Sequence, residues 1–281
     1  MLDVSQDLRA QVAAALAEDA PTGDLTTALT VDLAATCKAE LRAKAEGVLS
    51  GSAAAQAAFD VAADQDGLGL VAIEWLCGDC DHVLPADVIA QVQGPARTVL
   101  RAERVAINFM SHLSGVATLT SAFVGAAAPA RVLCTRKTTP GLRALERQAV
   151  ADGGGSLHRA SLSDAILIKD NHLRASGGVS EAVTRARAGG VPVEVEVETL
   201  EQLEEAIQAG ADSILLDNPS PELVRTAEEK LGDPERLEIS GGVTLENVEE
   251  LVAAGARIVS VGRLTHSAPA LDLSLEVVGV H

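Results

Sequence analysis

Apolar and charged residues alternate without interruption in "CKAELRAKAEG", residues 37–47. Cys37, Ala39, Leu41, Ala43 and Ala45 fall on one face, and Lys38, Glu40, Arg42, Lys44 and Glu46 on the other. A period of two with one charged face predicts a strand that is buried on one side and wet on the other. Around it, "LRAQVAAALAED" (8–19) and "SAAAQAAFDVAA" (52–63) carry helical spacing, and "APTGDLTT" (20–27) breaks the first of them. "VIAQVQGPARTVL" (88–100) reads as a further strand that leads into a long apolar-striped helix from about Leu100 to Val124. Residues 1–105 are therefore expected to form a small α+β domain, with the long helix as the bridge out of it.

From Arg131 the pattern changes. "VPVEVEVE" (191–198), "DSILLDN" (212–218), "RLEISGG" (236–242) and "RIVSVG" (257–262) recur every 20 to 24 residues, separated by the amphipathic "LEQLEEAIQAGA", "PELVRTAEEKLG" and "LENVEELVAAGA". This is the βα rhythm of a parallel barrel or a doubly wound sheet. The punctuation agrees: Thr199 and Gln202 fit a capping box, Ser220 precedes Pro221 at a helix start, and Gly210 and Gly255 stand where helices should stop. No GxGxxG fingerprint occurs, which favours a barrel over a nucleotide-binding doubly wound sheet.

The 281 residues are 47% hydrophobic, enough for a sizeable core, yet they include three Phe, one Trp and no Tyr. The core must then be built from Ala, Val, Leu and Ile, and base stacking on aromatic platforms is not expected. A net charge of −18 and a pI near 4.6 also argue against nucleic acid as a partner. No apolar run reaches the length of a membrane span, and "MLDVSQDLRAQV" has neither the basic start nor the apolar stretch of a signal peptide, so a cytoplasmic location is expected. Cys77 and Cys80 form a CxxC without a second pair at zinc spacing, and they read as ordinary loop thiols.

Within this acidic chain the segment from Arg131 to Arg174 carries a local balance of +4. Arg136 and Lys137 follow "RVLC", His158 and Arg159 follow "DGGGS", and Lys169 follows "DAILI". Each stands at or near the end of an expected strand, so in a barrel these cations converge on one mouth, where catalytic groups collect. The acids Glu194, Glu196 and Glu198 are expected to share an inward face, and Asp217 ends the run "SILLD". Two such carboxylates suit a divalent ion held jointly with substrate oxygens. The loops after the last two strands, Ser240 to Gly242 and Gly262 to Ser267, offer small residues and free backbone N–H groups for an oxyanion. The expected ligand is polyanionic, with both carboxylate and phosphate groups.

"EDAPTGDLTT", "AERVAINFMSHLSGVATLT", "TRKTTPGLRALERQAV", "GGGSLHR", "AILIKDNH", "EVEVETLEQ", "ILLDN", "SGGVTLEN" and "SVGRLTHSAPALDLSL" run in order from about residue 18 to 275. In these stretches the chain resembles the quinolinate phosphoribosyltransferases, the carboxylating nicotinate-nucleotide pyrophosphorylases. The resemblance implies an N-terminal α/β sandwich (1–105), an incomplete parallel, TIM-like α/β barrel (106–268) and a C-terminal segment (269–281) that returns to the first domain. It implies transfer of phosphoribose from phosphoribosyl pyrophosphate to the ring nitrogen of quinolinate, with loss of carbon dioxide, as a step of NAD biosynthesis, and the use of Mg2+. By motif, Arg136, His158, Arg159 and Lys169 would bind quinolinate. Arg104 would reach in from the second subunit of a homodimer. Lys137, Ser240, Gly241, Gly242, Gly262 and His266 would bind the sugar pyrophosphate, and Lys169 would meet it too. Glu198 and Asp217 would hold the ribose and the metal, and Lys137, Lys169, Glu198 and Asp217 would carry the catalysis. The chain departs from the family pattern at Leu157, just before the His-Arg pair, and at Ser161, two residues after it.

Overall fold

A computed structural model describes residues 4–281; Met1–Asp3, part of the stretch read against a signal peptide, lie outside the described residues. The chain divides into two compact units. One holds the chain up to Leu119 together with Pro140–Gly153 and Ala268–His281, and the other holds Thr120–Thr139 and Gly154–Ser267. The sequence reading placed the first break near residue 105. No local pattern marks the break at Leu119, because it falls inside a continuous helix, and none announces that Pro140–Gly153 belongs with the first unit.

The first unit contains α1 (Val4–Asp19), α2 (Leu25–Thr30), β1 (Thr36–Ala43), β2 (Gly47–Val48), α3 (Ser52–Asp66), β3 (Ala72–Trp75), β4 (His82–Val83) and β5 (Val88–Pro95). To these it adds most of α4 (Ala96–Ala126), with α5 (Arg143–Asp152) and the last strand β12 (Leu273–Val280). Four strands form an antiparallel sheet in the order β12-β1-β5-β3. β12 pairs with β1 from Cys37 opposite Val280 to Ala43 opposite Leu273, so the C-terminal segment completes the N-terminal sheet. The alternation in β1 does what its period demands: Cys37, Ala39, Leu41 and Ala43 are buried, with Val12 and Leu16 of α1, Ala55, Ala58 and Phe59 of α3 and Val99 and Ala102 of α4 in the same core. Sheet and helices thus make the two layers of an α/β sandwich. The break at "APTGDLTT" is in part a helix: Asp24 caps α2 by accepting from Thr27 N at 3.0 Å, and those hydrogen bonds hold its carboxyl below its ordinary pKa. α5 is anchored by Glu146, whose fully buried carboxylate meets His112 Nε2 of α4 at 2.8 Å.

The second unit holds β6 (Arg131–Leu133), β7 (Ile166–Ile168), α6 (Asp170–Ser176), α7 (Val179–Arg187), β8 (Val193–Val197), α8 (Leu200–Ala209), β9 (Ser213–Asp217), α9 (Pro221–Leu231), β10 (Leu237–Ser240), α10 (Val248–Ala253), β11 (Ile258–Ser260) and α11 (Arg263–His266). Its six strands are all parallel, in the order β6-β11-β10-β9-β8-β7. β6 and β7 stand at the two edges, with Ser156 bridging to Leu133 of β6, so the barrel is incomplete as expected. The caps read from the sequence are present: Thr199 accepts from Gln202 N at 3.3 Å, Ser220 accepts from Leu223 N at 3.2 Å, and Gly210 closes α8 at φ +84°. Val193, Val195 and Val197 are buried while Glu194 and Glu196 between them take the other face. In register, Glu196 lies beside Leu215, Leu215 beside Glu238, and Asp217 beside Ser240. Among the described residues no helix is long and apolar enough to cross a membrane.

Candidate active site

Parallel strands put the ends of β6 to β11 on one side of the second unit, and a cavity of about 330 Å³ opens there. Arg136, Lys137, His158, Arg159, Lys169, Asp217 and Ser240, all singled out in the sequence, line it. Glu196, Glu238 and Ser260 do so as well. A second hollow of about 260 Å³ shares Lys137, Ser240 and Ser260 with the first and adds Gly241, Gly242, Gly262 and His266. The two groups of residues expected to meet an acid and a phosphate therefore occupy adjoining spaces.

Two of the expected residues are not among these linings. Glu198 is exposed, because β8 ends at Val197 and residue 198 has already entered the turn into α8, where its N–H donates to Gln202 Oε1 at 2.8 Å. The metal and catalytic role assigned to Glu198 is thus not supported by its position; Glu196, one pleat earlier, is the inward carboxylate, paired with the Lys169 ammonium. Arg104 lies on α4 in the first unit, 61% exposed at its side chain and 3.8 Å from Glu103. The sequence reading also missed Glu238. Its signal was present in "RLEIS", where a carboxylate interrupts an apolar strand at the same parity as Ser240.

The cations are arranged for an anion. Arg136 Nε is buried with no hydrogen-bond partner, although a guanidinium N–H left unpaired inside a protein is costly. Burial, and then the positive charge of Arg136, hold Arg159 below its ordinary pKa, so two guanidinium groups repel one another across a protected space. Arg159 Nη1 also donates to the Ala165 carbonyl at 3.2 Å. The loop that carries it is tied by Asp164, which accepts from Ala160 N at 2.7 Å and from the Ser161 N–H and hydroxyl at 2.9 and 2.6 Å. The departure at Ser161 thus supplies one more bond to that loop, while Leu157 is half exposed.

His158 is fixed by both ring nitrogens. Nδ1 accepts from Arg159 N at 2.8 Å, which leaves the hydrogen on Nε2, and Nε2 lies 3.4 Å from Glu194 and 3.6 Å from Glu238. The Glu194 bond raises the His158 pKa against the opposing effect of burial. Glu238, 5% exposed, is pushed up to about 7, first by burial and then by the charge of Glu194. Its Oε1 accepts no hydrogen bond of ordinary geometry, although the Ser260 hydroxyl is near enough to favour the charged form.

The phosphate-side hollow is shaped by backbone. Gly241 has φ +76°, and a Cβ there would collide with Asp217 Oδ1 and come within 2.7 Å of Asn218. At Gly262 a Cβ would stand 3.1 Å from Lys137 Cδ and 3.3 Å from His266 Nε2. Gly241 requires glycine for its conformation, and Gly262 leaves room for the Lys137 and His266 side chains. Three carboxylates line the cavity from the adjacent strands β8, β9 and β10; Glu238 is turned to His158, which leaves Glu196 and Asp217 for a divalent ion. One or two carboxylates with oxygens from a phosphorylated substrate suit Mg2+, so the donor set fits it.

Comparison with known proteins gives one consistent result. Residues 116–276 match the family model described as quinolinate phosphoribosyl transferase, C-terminal domain, and residues 24–114 match its N-terminal domain. A probable carboxylating nicotinate-nucleotide pyrophosphorylase of Bacillus subtilis is 43% identical over 265 residues, covering 92% of this chain and 90% of its own. Its counterpart in Archaeoglobus fulgidus is 40% identical over 92% and 99% of the two chains. The solved nicotinate-nucleotide pyrophosphorylase of Francisella tularensis superposes with a TM-score of 0.88 at 36% identity, over 98% of this chain and 97% of that one. Human nicotinic acid phosphoribosyltransferase, at 14% identity and a TM-score of 0.63, shares the fold.

Proposed function

The chain belongs to the quinolinate phosphoribosyltransferase family, and from that premise we propose how its own residues carry out the family's reaction. Phosphoribose passes from phosphoribosyl pyrophosphate to the ring nitrogen of quinolinate, and nicotinate mononucleotide, pyrophosphate and carbon dioxide result. The observation that carries the assignment of roles is the opposed pair Arg136 and Arg159, one with a buried unpaired Nε and each lining the same cavity. Two guanidinium groups so placed fit a planar dicarboxylate, which each can bind through charge-assisted hydrogen bonds worth about 1.5–3 kcal/mol.

Quinolinate sits against Arg136, Arg159 and Lys169, with the locked His158 ring as the wall behind them. The sugar pyrophosphate extends from Lys137 into the adjoining hollow, where Ser240, Gly241, Gly242, Gly262 and His266 receive the 5′-phosphate. Glu196 and Asp217 face the ribose and would hold Mg2+ together with the pyrophosphate; the ion, when bound, neutralises charge on the leaving group. Lys137 stabilises the same leaving charge, and the two carboxylates favour the positive charge that develops on the sugar as the bond to pyrophosphate stretches. The pocket's largest contribution is to hold a weak nitrogen nucleophile in line with C1. Once alkylated, the ring is cationic, and the electron pair left by the departing carboxylate is stabilised beside N+.

The protein works as a homodimer in this reading, with Arg104 of one subunit completing the quinolinate site of the other. Its exposure leaves it accessible to a second subunit. Steady-state kinetics test the clamp: Arg136→Ala and Arg159→Ala each lower kcat/KM for quinolinate by roughly a hundredfold, equivalent to about 2.7 kcal/mol. Near-native values in both remove the assignment. Mixed dimers of Arg104→Ala and Arg136→Ala subunits should regain activity, and a lack of rescue in verified mixed dimers places the whole site within one chain.

A further inference from the structure

Decarboxylation leaves a carbanion at C2 of the pyridinium, and the product carries a hydrogen there. A proton must therefore reach that carbon before the product leaves. We propose that the Glu238 carboxyl is the acid that delivers it, an assignment that rests on the reading of the reaction given above.

The cavity's other charged groups are poorly suited. Arg136 and Arg159 hold their protons too firmly to act as acids. The Lys169 ammonium lies between Glu196 and the quinolinate carboxylates, which hold its charge, and the Lys137 chain runs beside Gly262 on the phosphate side. Asp217 Oδ2 accepts from the Asn218 amide at 2.8 Å, and Asp217 is the residue assigned to the ribose and Mg2+. The His158 Nε2 hydrogen lies between Glu194 and Glu238, and its Nδ1 is occupied. Among the described residues that line the cavity, Glu238 offers a buried carboxyl, one of whose oxygens has no hydrogen-bond partner. Burial and the Glu194 charge push its pKa up to about 7, so the acid form is well populated at neutral pH.

The same three residues resemble a metal site, since ligand atoms of His158, Glu194 and Glu238 lie within 4.8 Å of one another. The Arg159 N–H decides against it. By donating to Nδ1 it keeps a hydrogen on Nε2, the atom that would need a free lone pair to bind a metal. The cluster is built to hold a proton.

The bond from C2 to the carboxylate carbon breaks reversibly: its electron pair stays on C2, and carbon dioxide still held in the cavity recombines with it unless the carbanion is protonated, after which carbon dioxide leaves. The O–H bond of Glu238 then breaks as the C2–H bond forms, and the resulting carboxylate is stabilised by the His158 Nε2–H. Glu238 recovers its proton from water after the product has gone.

Rapid-quench single turnovers with magnesium, phosphoribosyl pyrophosphate and quinolinate separate the two halves of the reaction. The wild type is expected to release pyrophosphate and carbon dioxide together. In Glu238→Gln, pyrophosphate release should stay within about threefold of wild type, while nicotinate mononucleotide forms at least tenfold more slowly and quinolinate mononucleotide accumulates. Glu238→Asp, which keeps the acid, should narrow that gap. Loss of both steps in equal proportion, or of neither, overturns the assignment while leaving the transferase reading intact; no turnover by folded wild type overturns both. The wild type supplies a reading that needs no variant: as pH rises above 7 and Glu238 loses its proton, nicotinate mononucleotide should lag behind pyrophosphate. Coincident release up to pH 9 contradicts the proposal.

Discussion

The hydroxyl of Thr265 donates to the main-chain carbonyl of Lys137 at 2.8 Å, across 128 residues of sequence. Through this bond the short helix α11 holds the backbone from which Lys137 reaches both hollows. Thr265 is 2% exposed, so the bond has little competition from water. Thr265→Val keeps the volume and removes the donor, which should cost about 1 kcal/mol of stability. It should raise KM for phosphoribosyl pyrophosphate several-fold and leave KM for quinolinate within twofold. Equal effects on both substrates would show that the bond serves the whole unit rather than the loop.

Glu196 and Glu198 differ by one pleat and should differ in consequence. Glu196 pairs with Lys169 inside the cavity, whereas Glu198 stands in the turn to α8. Glu196→Gln should lower kcat by about a hundredfold, equivalent to about 2.7 kcal/mol, and Glu198→Gln should remain within threefold of wild type. Kinetics at saturating magnesium decide this, and the reverse ranking would return the ribose-facing role to Glu198.

Gly241→Ala combines two penalties, a positive φ and a collision with Asp217 and Asn218. Strain of this kind costs about 1–3 kcal/mol. It should be visible both as a lower Tm and as a loss of affinity for phosphoribosyl pyrophosphate, measured by calorimetric titration. An unchanged affinity would mean that the loop does not touch the 5′-phosphate.

Glu238 also makes stability depend on pH. Its folded pKa, about 7, lies above the ordinary 4.5, so between these values the folded protein binds more protons than the unfolded chain. Stability therefore falls as pH rises through this window, by at most about 3 kcal/mol from this group. Glu238→Gln removes the Glu238 contribution: its Tm should exceed that of wild type at pH 8 and approach it at pH 5. A constant difference across that range would contradict the buried-acid account.

Much of this architecture was legible because local periodicity and burial coincide. The alternation in β1, the glycine at 210 and the Ser-Pro start of α9 each express a constraint satisfied within a few residues. The cations at 136, 137, 158, 159 and 169 were legible because parallel strands must end on one side. What escaped the sequence depends on distance or on a single register. The break at Leu119 hides inside α4, and the return of Pro140–Gly153 to the first unit is anchored in part by Glu146 and His112, 34 residues apart. Alternation points Glu198 inward only if the strand runs one residue further than it does, since β8 ends at Val197. Glu238 was passed over although its parity with Ser240 was visible, since only pairing with β9 and β11 shows that this face lines a cavity.

The most direct measurement follows both products in one vessel. Purified protein is supplied with magnesium, phosphoribosyl pyrophosphate and quinolinate, while carbon dioxide and nicotinate mononucleotide are monitored together. The account predicts their release in equal amounts, and a loss of both when Arg159 is replaced by Ala. Folded protein that consumed the sugar pyrophosphate with nicotinate or another acid, and left quinolinate untouched, would contradict it.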